Sequence, residues 1–120
     1  MRATLEAIAF EVRDVVELLP RITTLRVDGG AAANALLLQL QADTLAMPVE
    51  RPEVLETTGL GAAFLAGLGT GVWSSTDELA STWSLDRRFE PSAGLDPDAR
   101  ESAYRRWRAA VDRAKGWADL

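Results

Sequence analysis

The sequence predicts an α/β chain, mostly helical, in the order helix, strand, helix, strand, helix, with a tail that ends in one further helix. Three observations predict it. Apolar residues recur at spacings of three and four in the first stretch, two short strand-like runs alternate with helix-forming ones, and an adjacent glycine pair stands at a strand-to-helix junction. Strands that alternate with helices imply right-handed crossovers and parallel pairing. Two short strands make a poor sheet by themselves, so the pattern suits part of a larger domain.

From Ala3 to Leu19 the residues Leu5, Ile8, Ala9, Val12, Val15, Val16 and Leu19 fall on one helix face, and Pro20 is expected to end it. Residues 22–27, ITTLRV, are rich in β-branched types and read as a short strand. Asp28, Gly29 and Gly30 follow. A second helix is expected from Ala31 to about Leu45, with Leu36, Leu37, Leu40 and Leu45 on its buried side. PVERP, residues 48–52, reads as a second strand, and Thr57 or Thr58 as the cap of a third helix reaching about Gly69.

That third helix carries Gly59, Gly61, Gly67 and Gly69, each costing about 1 kcal/mol against alanine. Its small residues are therefore expected to lie against another backbone. Residues 72–95 read as a short helical turn, STDELASTW, and a connector holding Phe89 and Pro91. A last helix from about Asp96 to Trp117 sets Tyr104, Trp107, Val111 and Ala114 in one stripe. Arg105, Arg106, Arg108, Arg113 and Lys115 lie mostly off that stripe. Glu101 and Asp112 interrupt the basic cluster, so a solvated face accounts for it better than a phosphate patch.

The 120 residues fit one domain, and a formal net charge of −5 argues against nucleic acid as a partner. Neither cysteine nor histidine is present, which leaves no disulfide, no thiol nucleophile and no metal ligand beyond carboxylates. No apolar run approaches the ~20 residues that span a bilayer. Glu6, Glu11 and Asp14 interrupt the first helix, so no signal peptide and no membrane partner are expected. A reducing, cytoplasmic setting follows as the expectation.

The glycine pair is the candidate site. A strand that ends in Asp-Gly-Gly and runs straight into a helix puts free N–H groups at a positive dipole end, where phosphate or other polar groups bind. In open α/β sheets, ligands sit at the carboxyl ends of strands. Glycine at positions 29 and 30 removes the Cβ that would keep a ligand away. Asn34, about one turn further, offers an amide able to donate and accept, as a nucleobase edge requires. The plainer reading is a tight turn with Asp28 as its capping residue and Asn34 as a surface amide. The pattern is neither GxGxxG nor a P-loop.

ATLEAIAFEVRDV, LRVDGGAAANALLLQLQADTLAMPVERPEVLETTGLGAAFLAGLGTGVW, DRRFEP and YRRWRAAVDRAKGW occur in this order. Together they resemble the C-terminal part of the FGGY carbohydrate kinases, above all the members that phosphorylate glycerol. The resemblance implies a partial actin-like ATPase (ribonuclease H-like) fold, with residues 1–120 as a C-terminal fragment of the second domain on its nucleotide-binding side. It implies transfer of the γ-phosphoryl of ATP, with Mg2+, to a polyol hydroxyl in the complete enzyme. Gly30 matches the backbone contact to the nucleotide, Asn34 the side chain beside adenine, and Gly29 belongs to the same turn.

Two departures stand out: Gly59 where the family usually has alanine, and Ala35 where a second asparagine is common. The resemblance further implies that the first domain, with the loops for phosphate, the residues for glycerol and the catalytic carboxylate, lies outside these 120 residues. No catalytic residue and no metal ligand is therefore assigned in this chain. The polypeptide alone is expected to be inactive, to hold nucleotide weakly, and to associate with copies of itself. The alternatives are a non-catalytic module that binds nucleotide or protein, and one part of a split kinase.

Overall fold

The computed structural model describes residues 2–116. In chain order it contains α1 (Arg2–Val16), β1 (Leu25–Arg26), a 3-10 turn (Gly30–Ala33), α2 (Ala35–Leu45), β2 (Val49–Pro52), α3 (Thr57–Thr70), α4 (Thr76–Ala80), β3 (Leu85–Phe89) and α5 (Pro97–Ala114). The strands form one sheet in the order β1-β2-β3. β1 runs parallel to β2, with Leu25 beside Val49. β3 runs antiparallel to β2, with Val49 beside Phe89 and Glu50 beside Arg88. The expected α/β architecture, mostly helical with a small sheet, is the one observed.

The core sits between the sheet and α2. Leu38, Ala42, Val49 and Phe89 are buried together, and Leu25, Val27 and Ala35 pack against them. α1 lies on α2, and α5 rests on α1, so the sheet, α2, α1 and α5 follow one another in space. Because α2 touches both sheet and α1, its buried residues span more than one stripe. Leu37, Leu38, Gln41 and Ala42 are buried, whereas Leu36, expected inside, is 59% exposed.

Several expected boundaries shift. α1 stops at Val16, ahead of Leu19 and Pro20. The first strand contracts from 22–27 to Leu25–Arg26. Glu56, not a threonine, caps α3 by accepting from the Thr58 N–H. The last helix ends at Ala114 with Lys115 as its C-cap, short of the expected Trp117, which itself lies outside the described residues.

β3 stands where a connector is expected, and it is the largest correction. Its charges disguise it: Asp86 and Arg88 are answered across the sheet by Arg51 and Glu50, and Arg87 lies over the Phe89 ring. Glu50 on β2 receives Arg26 of β1 at 3.2 Å and Arg88 of β3 at 2.6 Å. Burial alone would raise the Glu50 carboxyl, yet hydrogen bonds from Arg88 and Arg26 hold it below the usual carboxylate range. Phe89 then enters the core at 2% exposure.

α3 also differs from expectation. A Cβ placed on Gly59, Gly61 or Gly69 would meet nothing within 4 Å, so no second backbone of the described residues approaches there. Gly67 is the exception, since a Cβ would strike the Trp73 ring. Trp73 in turn meets Phe64 edge to face at 5.3 Å.

Candidate functional site

The turn after β1 is held by backbone and side chains from the segment that leads from β2 into α3. The Val27 N–H donates to the Glu50 carbonyl at 3.1 Å, the last rung of the parallel ladder. The Asp28 carboxylate accepts from Thr57 Oγ1 at 2.6 Å. The Gly29 N–H donates to the Leu55 carbonyl at 2.8 Å. Gly29 has φ 79° and ψ 173°, a conformation that only glycine adopts without strain. Its carbonyl accepts from the Ala32 N–H at 3.0 Å and starts the 3-10 turn.

The two glycines thus answer different needs. Gly29 is required by backbone shape, and its N–H is already taken by Leu55. Gly30 has no positive φ, and a Cβ there would meet nothing within 4 Å. The N–H groups of Gly30 and Ala31 donate to no acceptor among the described residues. Of the N–H groups expected to be free, those two are free and that of Gly29 is not.

Asn34 closes the turn. It adopts φ −83°, ψ 96°, and its side-chain oxygen accepts from the N–H groups of Leu36 at 3.1 Å and Leu37 at 3.2 Å. This N-cap satisfies two orphan donors of α2. It also narrows what the amide can offer a ligand: with the oxygen committed, the NH2 group is a donor only. The sequence brought Gly29, Gly30 and Asn34 to one turn, and the structure keeps them there. Sequence reasoning missed Thr57 and the Leu55 carbonyl as ties, because nothing in their spacing marks a contact 29 residues from Asp28.

A cleft of about 300 Å³ reaches the turn, where Asp28, Ala31 and Ala32 face Ile8 and Val12 of α1. Gln41 lines it too, and its Oε1 is buried with no hydrogen-bond partner among the described residues. A larger cleft of about 600 Å³ is lined by Val54, Thr57, Leu60, Phe64, Leu79 and Trp83. No group of three or more acidic side chains among the described residues could hold a metal ion.

Residues 1–70 match the model of the FGGY family of carbohydrate kinases, C-terminal domain. Over 121 residues the chain is 58% identical to a glycerol kinase of Aromatoleum aromaticum, an alignment that covers 97% of this chain and 24% of that protein. It is 54% identical to glycerol kinase 2 of Thermotoga maritima, over 98% of this chain and 24% of that one. The chain therefore spans about a quarter of the length of the curated relatives it matches.

Among solved structures, a Plasmodium falciparum glycerol kinase with ADP superposes with a TM-score of 0.73 at 33% identity, over 93% of this chain and 23% of that one. A xylulose kinase of Lactobacillus acidophilus, 18% identical, superposes with a TM-score of 0.74 over 98% of this chain and 25% of that one, a likeness of fold alone.

Proposed function

The chain belongs to the FGGY family of carbohydrate kinases, and from that premise we propose that it supplies the adenosine-facing part of a glycerol kinase. The reaction is transfer of the γ-phosphoryl of MgATP to glycerol, giving glycerol 3-phosphate. Residues 1–120 form the nucleotide-binding side of the second actin-like domain. The single observation that carries the assignment of the site is the geometry at Gly30: an open approach to the backbone beside two N–H groups without acceptors among the described residues. In this reading Gly30 and Ala31 present those groups to the nucleoside, Gly29 shapes the turn, and the Asn34 amide donates toward the base.

Phosphoryl transfer depends on positioning and on charge stabilisation around the γ-phosphate. ATP fits the turn described here. Mg2+ finds no cluster of ligands among the described residues: Asp28, the carboxylate at the turn, is engaged by Thr57 and no acidic cluster accompanies it there. The chain alone therefore positions a nucleotide and does not transfer its phosphate. We place its work in the cytoplasm, since a chain without cysteine has no use for an oxidising compartment. Self-association completes the proposal.

The test is titration of ADP into the 15N-labelled chain, followed by amide resonances. Shifts confined to Gly30, Ala31, Asn34 and their neighbours, at millimolar or high-micromolar ADP, are the expected result. Shifts clustered instead in the Phe64–Trp83 cleft, or none at all, would remove the assignment. Glycerol-dependent release of ADP from ATP by the purified chain would refute its inactivity.

A further inference from the structure

We propose that Arg51 is the positioning residue of the glycine turn: its guanidinium holds the carbonyls that end the 3-10 turn and so sets how the Gly30–Asn34 segment is presented. The nucleotide role of that segment rests on the reading above.

The need for such a residue follows from the cap. In a continuing helix the carbonyls of Ala32 and Ala33 would accept from N–H groups three or four residues on. Here the Leu36 and Leu37 N–H groups are drawn to Asn34 Oδ1 instead. Asn34 satisfies the start of α2 and, in doing so, diverts the donors of the turn before it. Arg51 Nη1 replaces them, donating to the Ala32 carbonyl at 3.3 Å and to the Ala33 carbonyl at 3.4 Å.

Arg51 is itself held in place. It sits on β2, its Nε donates to Asp86 Oδ2 at 2.6 Å, and its Nη2 lies 2.5 Å from the same oxygen. The guanidinium carbon stands 5.6 Å from the Phe89 ring centre, and the side chain is 17% exposed. One edge of a rigid plane therefore grips β3 while the other reaches the turn, an arrangement an ammonium cannot reproduce. Thr57 and Leu55 tie the turn at Asp28 and Gly29, upstream of the free N–H groups. Arg51 ties it downstream. The unoccupied N–H groups of Gly30 and Ala31 lie between the two anchorages.

The experiment compares Arg51→Gln, Arg51→Lys and, as a control in the α1–α5 contact, Tyr104→Phe, all in the 120-residue chain. Amide exchange at Ala32, Asn34, Leu36 and Leu37 is read together with an ADP titration. Arg51→Gln is expected to speed exchange at these amides about tenfold and to weaken ADP about fivefold, with Arg51→Lys recovering only part of both. Tyr104→Phe is expected to lower global stability without moving either readout at the turn.

Unchanged exchange at the turn in Arg51→Gln would overturn the positioning role, whatever ADP does. Faster exchange with unaltered ADP affinity would overturn the link from Arg51 to ligand while leaving the nucleotide reading in place. If ADP fails to perturb Gly30–Asn34 in the unsubstituted chain, the nucleotide reading falls and its presentation by Arg51 with it. Exchange in Arg51→Gln then decides the structural clamp by itself.

Discussion

Gly29 and Gly30 are neighbours with opposite sensitivities. Replacing Gly29 by alanine forces a Cβ onto a backbone at φ 79° and is expected to cost about 1–3 kcal/mol in urea unfolding. Gly30→Ala meets open space, so stability should stay within about 0.5 kcal/mol, while ADP affinity falls about fivefold, or ~1 kcal/mol. Equal loss of ADP binding in both, with Gly30→Ala also unstable, would show that the pair is only a turn. Asn34 separates in the same way. Asn34→Asp keeps an oxygen for the Leu36 and Leu37 N–H groups and removes the free NH2 donor, so the fold should hold while ADP binding weakens. Asn34→Ala loses the cap as well, at about 1 kcal/mol of stability.

The helices carry the next tests, and they show where the sequence was readable. In α3, Gly59→Ala adds a methyl in open space and should stabilise the chain by up to about 1 kcal/mol in urea unfolding. Gly67→Ala drives a methyl into the Trp73 ring and should cost about 1–3 kcal/mol. α5 is held on α1 by polar groups as much as by its aromatic stripe. Arg13 donates to both oxygens of Glu101 at 2.9 and 2.8 Å, and the Tyr104 hydroxyl and Trp107 Nε1 donate to Asp14. The Arg13 hydrogen bonds hold Glu101 below the usual carboxylate range. Burial alone would raise Asp14, but its donors Tyr104 and Trp107 outweigh that and lower it. Both folded values lie beneath the unfolded ones, so the stabilisation is present above the ordinary carboxylate range and lost as pH falls below about 4. Amide exchange along α5 should therefore accelerate in acid before that of α2; simultaneous loss would contradict it. The α1 and α5 stripes were legible because apolar spacing sets them, and β2 because prolines bracket a short run. β3 was not, since Asp86 and Arg88 are answered by Arg51 and Glu50 on β2, partners distant in sequence. Leu36 departs from expectation because the sheet and α1, both packed on α2 from elsewhere in the chain, set which sides of that helix face inward. At the site the glycine pair and Asn34 were legible as types, whereas Arg51, Leu55 and Thr57 enter only through the fold.

At the scale of the whole molecule the chain is open. Its radius of gyration is 17.7 Å, against about 14 Å for a compact domain of this length. β1 pairs on one side only, with β2, and leaves its other edge without a strand among the described residues. Large apolar side chains stand in solvent, among them Leu18 at 85%, Leu65 at 73% and Val72 at 67% exposure. An open edge invites a further strand, and exposed apolar residues invite another surface. Such burial is driven by the hydrophobic effect, so added salt should not reverse it, unlike an assembly held by surface ion pairs. Light scattering should give a mass above the 13.0 kDa of one chain, rising with concentration and persisting in high salt. Leu65→Lys with Val72→Lys should move it toward the single-chain value without loss of the α2–sheet core, which neither residue touches. A single-chain mass at millimolar concentration would show that these surfaces tolerate water, and would remove self-association from the account of the molecule.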